Sequence, residues 1–402
     1  MKLSRRGFNA AAVAAMAQVA APTFAQAQKV KIGVLTDMSG ALSAVLGQGS
    51  VDGARMAIED FGKTVAGMPI ELVFADHQNK PDIGSSVARR WFDEEQVDLL
   101  LDLGSSAVAI ACQTIARDKN KVIIVTGASS SDITNKFCNA NSFHWGYDTF
   151  MQSAAVASDM TKRGGDTWFF ITADYAFGHS LEADATKRII ARGGKVLGGA
   201  KHPANTLDMS SLLLQAQSSG AKVIGLASAG DDLERIIKQG NEFGIWRRQK
   251  AAAFPLQLYN VPAIGVEAMQ GMLHNTIYYW DRDDKTRDFG RRFWKRNGKP
   301  PAETHAVNYS AVTHYLKAVK AAGTKETAAV LKAIRSLPVD DLVTRNGKVR
   351  ADGRLIRPTH LVEVKKPSDV KEQWDVLNVV SEIAGDDAFR PAAESVCTLL
   401  KA

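Results

Sequence analysis

The sequence predicts an α/β protein of two lobes, each a mostly parallel sheet flanked by helices and hinged by crossover strands. Three observations predict it: strands that read as continuous apolar runs, amphipathic segments between them, and a restart of that cycle midway along the chain. Strands apolar on both faces need cover on both faces, and alternation with helices supplies it in a parallel sheet. The length of 402 residues and the 45% hydrophobic share leave room for two cores and exclude a disordered or fibrous chain.

In the first cycle "VKIGVLTDMSG" is a strand running into a turn, and after Gly47 the residues Val51, Ala54, Ile58 and Phe61 fall at helical spacing. "IELVFADH" is the next strand. Beyond Pro81, Ile83, Val87 and Trp91 recur every fourth position and line one helix face. "VDLLLDLG", an alanine-rich helix after Ser106, and "KVIIVTGASSSD" repeat the pattern.

After "NSFHWGYDTF" the cycle restarts with "TWFFITADY", a helix over 177–190, "GKVLGGAKH", a helix from about Ser210, "KVIGLASAG", a helix over 231–243 and "QKAAAFPLQ". The chain then passes "GMLHNTIYYWDRDD", enters helices around 286–296, 307–322 and 325–336, and closes with strands such as "HLVEVKK" and "WDVLNVV". Crossovers are expected near 144–147 and 275–279, with a cleft between the lobes. The expected division is 28–146 with about 281–357 for one lobe and 147–280 with about 358–402 for the other.

Residues 1–27 lie outside that fold. "MKLSRRGFNAAAVAAMAQVAAPTFAQA" has a basic start, an uncharged alanine-rich stretch and a small-x-small ending, the layout of an export signal cut before Gln28. "SRRGF" resembles a twin-arginine motif, which leaves that route and general secretion both open. The apolar part is about a dozen residues against the roughly 20 that cross a bilayer, so export, most simply to a bacterial periplasm, is expected rather than anchoring. Removing the leader's three basic residues from the formal charge of +7 leaves +4. Basic clusters such as "WRRQK" are short and interrupted by acids, which excludes a nucleic-acid face.

Three cysteines face an oxidising compartment. Cys112 shares an apolar helix face with Val108 and Ile115, whereas Cys138 and Cys397 lie in polar, loop-like settings. Cys138 with Cys397 is the expected disulfide, and Cys138 with Cys112 is the alternative. No Cys-x-x-Cys and no His/Cys pair at ligand spacing occurs, so no metal is expected.

Parallel sheets offer ligands the carboxyl ends of their strands. The pocket is therefore expected from 36–46, 104–107 and 126–131 in one lobe and from 173–178 and 228–232 in the other. Ser105 and Ser106 stand where a helix N-terminus presents unpaired N–H groups, and "TGASSSD" brings a second cluster of small residues and hydroxyls. Two such corners suit a carboxylate. Any single serine could equally cap its own helix. Tyr175 and Phe177 follow a strand and can cover a ligand, although Phe177 could also pack under its own helix. His144, beside Trp145 on the crossover, reads as structural more readily than as a cleft residue.

Gly-x-x-x-x-Gly-Lys-Ser/Thr, Gly-x-Gly-x-x-Gly and Gly-x-Ser-x-Gly are all absent, and the glycine-rich "LGQGSVDG" lacks their spacing. An exported oxidoreductase, the alternative that a twin-arginine leader suggests, would need such a fingerprint, so no cofactor and no catalytic residues are expected.

"KIGVLTDMSGALSAVLGQGSVDGARMAIEDFG", "LLDLGSSAVA", "VTGASSSDIT", "FFITADYAFGHSLEADA" and "VNYSAVTHYLKAV" resemble, in order, blocks of the substrate-binding proteins of ABC importers, in the leucine/isoleucine/valine-binding branch. The resemblance covers the mature chain. It implies the type I periplasmic-binding fold, a monomer whose lobes close on a small solute, docking to an inner-membrane permease, and no catalysis. A ligand-sensing receptor would share that fold. By position the resemblance assigns the pocket serine to Ser105 or Ser106, the carboxylate-holding backbone and hydroxyl to Ala128 and Ser130 with Ser129 between them, an aromatic wall to Phe177, and a second tyrosine near the cleft to Tyr309. Ser228 falls at the matching strand end of the second lobe, and Leu46 stands where amino-acid binders often carry an aromatic ring. Those binders also pair the ligand's ammonium with an acid in the second lobe, and "AAFPLQLYNVPAIG" contains none. The expected ligand is therefore an organic acid without an amine, in the manner of the aromatic-carboxylate binders, unless Asp231 or Asp232 turns inward.

Overall fold

A computed structural model describes residues 28–401; the expected export signal and its cleavage point lie outside the described residues. The chain opens with β1 (Val30–Thr36), α1 (Gly47–Phe61), β2 (Thr64–Val65), β3 (Met68–Asp76), α2 (Pro81–Asp93), β4 (Leu99–Asp102), α3 (Ser106–Asp118), β5 (Val122–Val125) and β6 (Ser142–His144). These strands form one sheet in the order β2-β3-β1-β4-β5-β6, parallel except where β2 pairs antiparallel with β3. Every residue of β4 and β5 is buried, as two-sided helix cover requires.

The second cycle runs α4 (Thr149–Lys162), β7 (Thr167–Ala173), α5 (Ala176–Ala191), β8 (Lys195–His202), α6 (Ser210–Ser218), β9 (Val223–Ala227), α7 (Gly230–Glu242) and β10 (Lys250–Ala253). Its strands form an all-parallel sheet in the order β10-β9-β7-β8. Helix α4 was not expected. Its sequence TFMQSAAVASDMTK carries small alanines and serines in place of a bold apolar stripe, and the signal that was present is Asp148, whose carboxylate caps the helix by accepting from the Met151 N–H at 2.8 Å.

Short helices α8 (Asn260–Ile264) and α9 (Val266–Met269) lead to β11 (Leu273–Thr276), followed by α10 (Asp284–Asn297), α11 (Glu303–Ala322), α12 (Thr327–Ser336), β12 (Lys348–Val349), β13 (Leu355–Ile356), β14 (Thr359–Val364), β15 (Leu377–Ile383) and α13 (Gly385–Ala388). Strands β11, β14 and β15 make a separate antiparallel sheet. Helix α11 returns to the first lobe and lies close against α1, where an added Cβ on Gly49 or Gly53 would collide with the His305 ring or carbonyl. Gly49 and Gly53 of "LGQGSVDG" thus serve helix–helix approach, while Gly47 takes the positive φ of 53° at the start of α1.

Two buried arginines flanking β13 hold the first crossover. Arg354 bonds the Gly146 carbonyl and lies 3.4 Å from Asp148, while Arg357 bonds the Trp145 carbonyl and donates to Thr344 Oγ1 at 2.8 Å. Both guanidiniums are pulled below their ordinary range by burial, Arg357 to about 9 and Arg354 to about 10. The Cys138–Cys397 disulfide is present, tying the C-terminal segment to the first lobe, and Cys112 is a buried free thiol.

Candidate functional site

A cavity opens between the lobes, at the carboxyl ends of the parallel strands of both sheets. The first lobe contributes Leu42, Val45, Asn79, Gly104, Ser105, Ser106, Gly127 and Ser129, and the first crossover adds Tyr147. Tyr175, Phe177, Ala229, Gly230, Pro255, Gln257 and Asn260 complete the wall from the second lobe. None of these side chains is a carboxylate, ammonium, guanidinium or imidazole.

The junction between β4 and α3 is built under strain. Asp102 and Leu103 both adopt positive φ, 81° and 59°, a conformation L residues rarely take, and the turn delivers Gly104 and Ser105 to the cavity. Leu46 fills the space beneath: a Cβ added to Gly104 or Gly127 would run into its methyl groups. Those two glycines let the Leu46 side chain pack directly against the backbone of both corners.

Helix α3 begins at Ser105, whose side chain makes no capping bond. The Ser106 hydroxyl is committed, since it accepts from the Ser130 N–H at 3.1 Å. Helix α5 begins at Tyr175, again with no side-chain cap, and neither helix carries an acid in its first turn. Their unpaired N–H groups and positive dipole ends are therefore available to an anion in the cavity. Helix α7 starts at Ala229 and also lines the cavity, but its own first turn holds Asp231 and Asp232. Asp232 accepts from Arg235 at 2.8 Å and from the Asn205 N–H at 2.9 Å, and Asp231 is exposed, 3.7 Å from Arg235. Neither lines the cavity.

Tyr175 and Phe177 form a tilted aromatic pair with ring centroids 6.1 Å apart. Burial pushes the Tyr175 hydroxyl up to about 12, so it stays a neutral donor. The Asn260 amide is held by Glu234, which accepts from Nδ2 at 3.0 Å, and the Asn260 Oδ1 accepts from the Gln257 N–H at 2.8 Å.

Of the residues singled out in the sequence, Ser105, Ser106, Ser129, Tyr175 and Phe177 line this cavity. Five others do not. Leu46 lies under the floor, fully buried. The Ala128 carbonyl accepts from His144 Nε2 at 2.8 Å, which makes His144 structural. Ser130 caps a short 3-10 turn by accepting from the Asp132 N–H. Ser228 is buried against His202 Nε2 at 2.7 Å, and its neighbours Ala229 and Gly230 take the wall position. Tyr309 is on the outer side of α11, its hydroxyl donating to Asp60 at 2.9 Å beside Arg292. Sequence reasoning missed Asn79, Tyr147, Pro255, Gln257 and Asn260. The strand-end rule could have found Asn79 after β3 and Pro255 after β10.

The periplasmic binding protein family matches residues 29–370 of this chain. Among solved structures, the chain is similar to a periplasmic binding protein from Burkholderia mallei, with 44% identity over 92% of this chain and 99% of that one and a TM-score of 0.91. It is also similar to a branched chain amino acid ABC transporter periplasmic ligand-binding protein from Burkholderia xenovorans, with 39% identity over 92% and 100% of the two chains and a TM-score of 0.83. Among curated relatives, Leu/Ile/Val-binding protein homolog 7 of Brucella suis is 26% identical over 350 residues, covering 82% of this chain and 86% of that one. Proteins of this kind bind small molecules for ABC transporters and work with membrane permeases; they are transport proteins, not enzymes. No helix among the described residues is long and apolar enough to cross a membrane. The two sheets, the cleft between them and a match over most of its length place this chain in the periplasmic binding protein family, with the type I fold and the substrate-binding role of an ABC transporter.

Proposed function

We propose that this protein captures a small organic acid lacking an amine, best an aromatic carboxylate, and delivers it to the importer's permease. The observation that carries the reading is the cavity's charge: no lining side chain is ionised, yet two acid-free, uncapped helix N-termini open into it. A carboxylate is served by N–H groups, the Ser105 and Ser129 hydroxyls and the positive helix ends. An amino acid would leave its ammonium without a counter-charge, a cost of several kcal/mol. The Tyr175 and Phe177 rings match a flat apolar body. In this reading the lobes are 28–146 with about 281–357 and 147–280 with about 358–402, and they close over the ligand as a monomer.

Thermal unfolding of the mature chain against aromatic acids, aliphatic acids, amino acids and amides tests the class. A ligand at about 100 times its dissociation constant adds about 2.7 kcal/mol to the native state. The expected result is a raised midpoint with aromatic acids and none with amino acids. A shift confined to amino acids would overturn the proposal.

A further inference from the structure

Asn260 opens α8 on the second-lobe wall of the cavity and is only 4% exposed. Gln257 pins it twice: the Asn260 N–H donates to the Gln257 carbonyl at 3.0 Å, and Asn260 Oδ1 accepts from the Gln257 N–H at 2.8 Å. The other end of the amide is taken by α7, where Glu234 Oε1 accepts from Nδ2 at 3.0 Å. Glu234 lies 3.7 Å from Lys238 on the same helix and does not itself line the cavity.

These partners settle which end of the amide is which. A backbone N–H only donates and a carboxylate only accepts, so turning the amide over would set oxygen against oxygen at Glu234 and N–H against N–H at Gln257. Each end then keeps one position in hand, because Nδ2 carries a second hydrogen and Oδ1 a second lone pair. The amide makes no further hydrogen bond among the described residues.

A ligand that turns only apolar surface to this wall leaves a nearly buried donor and acceptor unmet, and a site built to bond a hydroxyl discriminates strongly against the analogue that lacks it. A hydroxyl both accepts and donates, so it suits either free position. A second carboxylate could accept from Nδ2, but its charge would stand near that of Glu234. Resting on the carboxylate reading above, we infer that Asn260 is a specificity-determining residue, held by Glu234 as its positioning residue, and that the fixed amide selects acids carrying a hydroxyl on the end turned toward the second lobe. The serine corners grip the carboxylate that all such acids share, and Asn260 distinguishes among them.

The test is calorimetric titration of residues 28–402 with benzoate, 3-hydroxybenzoate and 4-hydroxybenzoate, on the native chain and on N260A, E234A and E234Q. At least one hydroxy acid is expected to bind the native chain about tenfold more tightly than benzoate, the worth of one hydrogen bond in a closed site. N260A removes that advantage and leaves the affinity for benzoate unchanged, whereas a merely structural asparagine would weaken all three acids alike. E234A, which frees the amide to turn, reduces the advantage, and E234Q, whose Oε1 still accepts, keeps it. No hydroxyl advantage in the native chain, an advantage that persists in N260A, or one that is untouched in E234A overturns the inference while the carboxylate reading stands; the E234A and E234Q pair decides the matter if N260A folds poorly. Failure of all three acids to bind overturns the carboxylate reading, and this inference with it.

Discussion

Ser105 and Ser106 are adjacent serines at one helix start, yet their hydroxyls have different employment. Ser106 holds the Ser130 N–H and so ties the two corners of the first lobe together, whereas Ser105 makes no capping bond. Replacing Ser106 by alanine leaves a buried N–H unpaired and costs about 1–3 kcal/mol of stability. S105A leaves stability nearly unchanged and weakens carboxylate binding about tenfold, the loss of one hydrogen bond to a charged acceptor. Urea unfolding and calorimetry on the two variants read the contrast; equal losses of stability would remove the distinction.

At the scale of elements, the C-terminal segment joins the lobes. Arg390 reaches Asp184 on α5 at 2.5 Å and Ser131 at 2.9 Å, and Asp184 also accepts from the Ser131 and Thr149 hydroxyls at 2.6 and 2.7 Å. All four residues are buried. The disulfide at Cys397 and the bonds from Ser395 and Val396 to Asn135 hold this segment in place. R390A strands the Asp184 carboxylate and is expected to destabilise the protein by about 3–5 kcal/mol, measured by urea unfolding. A loss under about 1 kcal/mol would mean that the hydroxyls alone satisfy Asp184.

The same scale explains what was legible in the sequence. β1, β4 and β5 were readable because two-sided burial writes an unbroken apolar run. The strand-end rule then located both serine corners and the Tyr175–Phe177 wall. Helix α4 was hidden by its alanines. Tyr309 was assigned by resemblance, and which face of α11 meets the cleft depends on how α11 packs against α1, information that helical spacing alone does not hold. Ser130 and Ser228 have the right chemistry at the right strand ends, but their hydroxyls are consumed by a local turn and by His202.

For the whole molecule, the two sheets meet where their strands end, and the buried Arg354 and Arg357 bind the first crossover to the segment returning from β13. The central claim is that this cleft recognises negative charge without a positive side chain, through helix starts and hydroxyls. Calorimetric titration of residues 28–402 with benzoate, benzamide and leucine tests it most directly. The account predicts that benzoate binds at least about a hundredfold more tightly than benzamide and that leucine gives no heat of binding, because only the carboxylate engages several charge-assisted hydrogen bonds with no amine to neutralise. Equal affinity for benzamide and benzoate, or tight binding of leucine alone, would contradict it.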